Sequence, residues 1–159
     1  MPDPVRELEH THGHLNELAV EVQRLLGEQP SAETREELTS ALELLRDELL
    51  THFANEEEGL FPFIRATVPS TAAAVDRLEE AHDAICGTVT RLAHLAARDA
   101  EADALASLYQ RFEATYARHS QNEAALFDEL SKTLTPVQRG ELAVLLRGVV
   151  GTAERSRST

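Results

Sequence analysis

The segment His52-Phe53-Ala54-Asn55-Glu56-Glu57-Glu58-Gly59-Leu60-Phe61-Pro62 has a partial twin in His119-Ser120-Gln121-Asn122-Glu123-Ala124-Ala125-Leu126-Phe127, and reading the two together decides the fold. A shift of 67 residues superposes histidine, asparagine and glutamate, while the Leu-Phe pair that follows falls one residue out of step. The sequence upstream of each segment repeats as well. With a shift of 70, Val5, Leu8, Glu9, His12 and Leu15 fall on Val75, Leu78, Glu79, His82 and Ile85, four of the five being identities. The chain therefore reads as two helical hairpins, each carrying one lone histidine and one His-x-x-x-Glu pair.

The surrounding sequence supports helices throughout, because apolar residues recur at intervals of three and four and no stretch alternates as a strand would. A first helix is expected from Asp3 or Val5 to Leu26, with Leu8, Leu15, Leu18, Val22 and Leu25 on its apolar face and Gly27 and Pro30 stopping it. Ser31 N-caps a second, which carries Leu38, Leu42, Leu45, Leu49, Phe53 and Leu60, kinks late at Pro62 and ends near Thr67, before Pro69. A third runs from Ser70 or Thr71 to about Arg98 over Val75, Leu78, Ile85, Val89 and Leu92. A fourth runs from about Asp99 to Lys132 over Leu105, Leu108, Phe112, Tyr116 and Phe127. A shorter fifth starts at Thr135-Pro136, with Val137, Leu142, Leu145, Leu146 and Val149 as its apolar face. The expectation is all-α, an antiparallel up-and-down four-helix bundle with a short fifth C-terminal helix. Residues 1–151 form its one domain, and 152–159 a disordered tail.

Composition narrows the function. The 159 residues are 42% hydrophobic and include one cysteine, Cys86, which can build neither a disulfide framework nor a thiolate zinc site. Any bound metal must then use nitrogen and oxygen ligands. Fifteen basic against 28 acidic residues give a net charge of -13, the wrong sign for holding phosphate backbones, so no nucleic-acid partner is expected. No signal peptide and no apolar run near the ~18 residues of a membrane span are visible, and the expected location is cytoplasmic, away from membranes.

Residues four apart on a helix lie one turn above each other and can reach one centre together, as His52 with Glu56 and His119 with Glu123 would. Leu45 and Leu49 share the face of His52, and Phe112 and Tyr116 stand in the same relation to His119, so these polar residues lie on core-facing stripes. A carboxylate buried there unpaired would cost several kcal/mol and would draw a proton or a cation. His12 and His82 on the facing helices complete a six-ligand nitrogen and oxygen box, a set that suits iron or manganese. One His-x-x-x-Glu arises by chance in many acidic helices; two at matching places in a repeat, each after a matched histidine, do not.

These residues are similar to the pattern of the hemerythrin-like, or HHE domain, proteins: a histidine on the first helix, His-x-x-x-Glu on the second, and the same again on the third and fourth. The string His-Phe-x-x-Glu-Glu-x-x-Leu-Phe-Pro is its most recognisable piece, and the resemblance spans about residues 5 to 130. It implies an oxo- or hydroxo-bridged non-heme di-iron centre, with manganese or zinc as alternative metals. His12, His52, His82 and His119 would be terminal ligands, and Glu56 and Glu123 would bridge. Two departures point away from stable oxygen carriage. Oxygen-carrying hemerythrins have a second histidine one turn after the first on the third helix, where this chain has Cys86. They also use a histidine and an aspartate five apart on the fourth helix, where His119 and Glu123 are four apart. With fewer imidazoles, more exchangeable positions remain for redox, sensing or iron-handling chemistry.

Around these six, several assignments are looser. His10, His12 and His14 are too close to face inward together; His12 is preferred for its repeat with His82, and His14, near Leu18 and Leu25, is the alternative. His94 is peripheral. Tyr116 either hydrogen-bonds near the centre or packs, Asn55 and Asn122 are candidates to support the ligands, and Cys86 reads as a small buried hydrophobe more than as a redox neighbour. Glu57 and Glu58 are assigned to a solvated acidic face, Glu57 being the one within reach of the site. The expected function is a metal-binding protein whose centre binds or responds to oxygen, nitric oxide, peroxide or iron. The competing readings are a di-iron oxidase or peroxide-consuming enzyme on the same scaffold, and a metal-free helical interaction module.

Overall fold

Helical periodicity in the sequence becomes six helices in a computed structural model that describes residues 4–29 and 31–145, with backbone only for 4–11. They are α1 (Pro4–Leu26), α2 (Ala32–Asn55), α3 (Phe61–Thr67), α4 (Ala72–Ala97), α5 (Ala102–Thr133) and α6, which is helical over 136–145. The described residues contain no strand. The rest of the expected fifth helix, with Leu146 and Val149, and the expected tail from 152 lie outside them.

Local chemistry sets the ends of these helices. Ser31 Oγ accepts the Thr34 N–H at 3.1 Å while Thr34 Oγ1 accepts the Ser31 N–H at 2.8 Å, a reciprocal capping box that starts α2. Thr135 and Gln138 make the same exchange ahead of α6. Asp99, expected to open the fourth helix, instead closes α4. It adopts a left-handed backbone (φ 54°), which a short polar side chain tolerates, and the Ala100 N–H returns to the Leu95 carbonyl at 3.1 Å. α5 therefore begins three residues later, at Ala102.

The late kink expected at Pro62 is a larger break. Between α2 and α3 the chain makes one π-helical turn, Glu56–Leu60, closed by the Phe61 N–H on the Glu56 carbonyl. Two sequence features account for it. Proline lacks an N–H and its ring collides with the carbonyl four residues back, so an undisturbed α-helix through Pro62 is costly. Moreover, Leu60 follows Glu56 by four residues whereas Leu126 follows Glu123 by three, and a single extra residue in a helix is accommodated as a π turn. The slip seen in the repeat is thereby absorbed, and Leu60-Phe61 and Leu126-Phe127 bury together in one cluster. Beyond the turn, Arg65 of α3 holds both carboxylate oxygens of Glu79 on α4 at 2.9 Å and Asp76 at 2.7 Å.

α1 packs against α2 and α5, and α4 against α2 and α5. Their apolar stripes meet in two separate clusters. One gathers Leu15, Val22, Leu42, Leu49, Val89 and Phe112 with their neighbours; the other holds Leu60, Phe61, Ile64, Leu78, Phe127 and Leu130. Each fully buried leucine or valine contributes about 2 kcal/mol. α6 adds Leu142 to the second cluster, but Val137, 72% exposed, and Leu145 stay out of it, contrary to the expected apolar face. Val137 sits five residues before Leu142, which places it roughly 140° around the helix. Along α2, α4 and α5, the residues between the two clusters are His52 and Glu56, His82, and His119 and Glu123.

Candidate metal centre

These five polar residues are buried between two apolar layers, and His12 of α1 reaches them from the side. His52 near the end of α2 and Glu56 at the start of the π turn sit one turn apart, His119 and Glu123 one turn apart in α5, and His82 in the middle of α4. The packing that buries the leucines of each stripe carries the polar residues of the same stripe inward.

The geometry has an internal order. His52 Nε2 lies 2.7 Å from Glu56 Oε1, and His12 Nε2 lies 3.1 Å from His52 Nε2, 3.8 Å from Glu56 Oε1 and 3.2 Å from Glu123 Oε1. On the other side, His82 Nε2 is 3.2 Å from Glu56 Oε2 and His119 Nε2 is 3.0 Å from Glu123 Oε2. Each carboxylate thus turns one oxygen toward His12 and the other toward His82 or His119. Two sets of ligand atoms each fall within 4.8 Å of one another: His12, His52, Glu56 and Glu123, and Glu56, His82 and His119.

Close approach does not make these hydrogen bonds. Both oxygens of Glu56, both oxygens of Glu123, His82 Nε2 and both ring nitrogens of His119 are buried without a hydrogen-bond partner. Leaving buried polar atoms unpaired costs about 1–3 kcal/mol each, more when charged, so so many at one point signal a group that satisfies them together. Donors of imidazole nitrogen and carboxylate oxygen fit a cation.

Protons show the same demand. Burial opposes charge on His12, but Glu123 and then Glu56 overcome it and raise its pKa to about 10. Burial likewise opposes charge on His82, and Glu56 and then Glu57 raise its pKa. Burial would raise the Glu56 carboxyl, yet His52, then His12 and His82, hold it well below its usual range. Without a metal, protons on imidazoles supply the positive charge that the carboxylates require.

Around the centre, Phe53 stacks on His82 with ring centroids 3.8 Å apart, Phe61 stacks on the same imidazole at 5.5 Å, and Phe53 meets His119 edge-on at 5.4 Å. Tyr116 packs, stacked on Phe112 within the first cluster; burial, then Glu123 and Glu56, push its phenol pKa up. Cys86 packs against that same cluster, and burial followed by Glu57 and Asp83 raises its thiol to about 11, far from a reactive thiolate.

His14 and His94 are exposed, and the side chain of His10 lies outside the described residues. Asn122 is exposed, Asn55 is half-buried, and among the described residues no hydrogen bond joins either to the six. Glu58 is exposed as expected, but Glu57 departs from its assignment to a solvated face: its Oε1 lies 3.0 Å from His82 Nδ1. The sequence signal for the turn that carries it is the one-residue slip after Glu56.

Among the described residues, no helix is long and apolar enough to cross a membrane. A family model described as the Hemerythrin HHE cation binding domain matches residues 3–130. No curated protein and no solved structure matches the chain.

Proposed function

Starting from the membership of this chain in the hemerythrin HHE cation-binding family, we propose that it is a non-heme di-iron protein built as an antiparallel four-helix bundle of α1, α2, α4 and α5. His12 and His52 would hold one metal, His82 and His119 the other, with Glu56 and Glu123 placed to be shared by both. The observation that carries this reading is the division of carboxylate oxygens, each glutamate offering one to either side, together with the buried ligand atoms that have no hydrogen bond. Bridging carboxylates with terminal imidazoles are the donor set of carboxylate di-iron bundles.

When bound, such a pair of metals supplies reversible redox chemistry and open positions for a small ligand. The residues of the chain supply the rest. Glu56 and Glu123 stand buried between the two apolar clusters, Phe53 and Phe61 stack on His82, and His12, 21% exposed, marks the side from which a small molecule enters. The ligand is oxygen, nitric oxide or peroxide, or the metal itself is the signal. The exclusion of nucleic acid follows from the charge of -13.

Metal analysis of protein purified without added metal, with ultraviolet-visible spectra before and after dithionite and air, tests the proposal. The expected result is about two irons per chain and near-ultraviolet bands that bleach on reduction and return in air. Protein that carries no metal and takes up no ferrous iron anaerobically would sink it, and a stoichiometric load of zinc or manganese would replace iron in it.

A further inference from the structure

Resting on that reading of the centre, one group has no part in the six-ligand box. Glu57 is the residue after Glu56, and its repeat mate under the 67-residue shift is Ala124, which has no polar side chain. Its Oε1 stands 3.0 Å from His82 Nδ1, the ring nitrogen that faces away from Glu56. His119, the neighbouring imidazole, has its own Nδ1 buried with no partner at all. His82 is also the ring stacked by Phe53 and by Phe61. Three contacts on one imidazole therefore come from α2, the π turn and the start of α3.

We infer that Glu57 is a positioning residue for His82: it accepts the Nδ1–H, fixes the tautomer whose Nε2 lone pair faces the metal position, and makes that position inequivalent to the one served by His12 and His52, where no such carboxylate stands among the described residues. A carboxylate on the distal nitrogen of a ligating imidazole orients the ring and increases its basicity, and losing it lowers metal affinity about 10- to 100-fold. The π turn makes the contact available, since it is the local break that the second hairpin lacks.

The test is the anaerobic affinity for ferrous iron, measured by chelator competition, in full-length wild type, Glu57→Ala, Glu57→Gln and Glu58→Ala. Glu57 is partly exposed, and circular dichroism checks that its variants stay helical. The expected result is a roughly 10- to 100-fold loss for one of the two irons in Glu57→Ala. Partial recovery is expected in Glu57→Gln, which keeps an acceptor oxygen, and no loss in Glu58→Ala. In the ferrous protein, the shifted Nδ1–H resonance of His82 exchanges slowly with solvent in wild type and rapidly in Glu57→Ala. Affinity within about twofold of wild type for both irons together with unchanged exchange, or an equal loss in Glu58→Ala, overturns the inference while leaving the centre intact. Wild type that binds no iron overturns both.

Discussion

The two hairpins repeat the same ligand residues in sequence and are unequal in structure. His12 and His82 occupy matched places in the repeat, yet His12 is 21% exposed and His82 only 2%. His82 is stacked by Phe53 and by Phe61 and backed by Glu57, all from the first hairpin, whereas His12 meets the centre from α1 with part of its ring exposed. The difference teaches that a repeat transmits ligand types and their spacing but not their surroundings. One extra residue after Glu56 lets the first hairpin complete the environment of a histidine in the second.

The strongest way to break the comparison is to remove the carboxylates in turn. Glu56 lies within 3.8 Å of three imidazoles and Glu123 within 3.2 Å of two. In the proposed centre both would bridge the two metal positions, so Glu56→Ala and Glu123→Ala are each expected to take iron content from about two per chain to below one. Chelation should then matter only in wild type. A metal at a thousand times its dissociation constant stabilises the folded chain by about 4 kcal/mol. For a chain of this length that corresponds to a fall in Tm of roughly 8–16 °C on chelation. Either variant retaining two irons by metal analysis would show that its carboxylate does not bridge.

The slip between the hairpins offers a second test. Deleting Gly59 gives the first hairpin the spacing of the second and removes the residue that the π turn accommodates. Pro62 then falls in what would be an unbroken helix, and denaturant unfolding of metal-free protein should report a loss of about 3 kcal/mol. Adding Pro62→Ala to the same chain should recover most of it. A deletion that costs nothing would show that proline, not the extra residue, sets the turn.

Much of this was legible in sequence, and the unreadable parts share a cause. The helices, the Ser31 cap, the repeat and the convergence of His12, His52, Glu56, His82, His119 and Glu123 follow from periodicity, because burying a leucine stripe carries inward whatever shares it. Asp99 was misread because a left-handed helix end is commonly marked by glycine, and an aspartate there looks like a cap for the next helix. Val137 was misplaced because an apolar residue in a short surface helix need not face the core. For Glu57 the sequence leaves a solvated face and reach to the site side by side, since at 100° per residue it turns away from the Glu56 face, and it is the π turn and the position of α4 that bring it to His82.

The smallest effect contrasts His12 and His82 directly, in metal-free protein. The His12 pKa is raised from its usual 6.5 to about 10, so His12 contributes stability that is fully present below pH 6.5 and is lost as pH climbs through 10. His82 shifts in the same direction and adds to the same slope. Glu56 works oppositely: its depressed pKa gives stability at neutral pH that acidification removes. Thermal melts of chelated protein should therefore show Tm falling between pH 6.5 and 10, and His12→Ala should flatten part of that fall while leaving the share due to His82. Iron binding must displace those protons, so ferrous affinity should rise across the same interval. A slope unaltered by His12→Ala would mean that solvent at the open side of the site, rather than Glu123 and Glu56, controls the His12 proton.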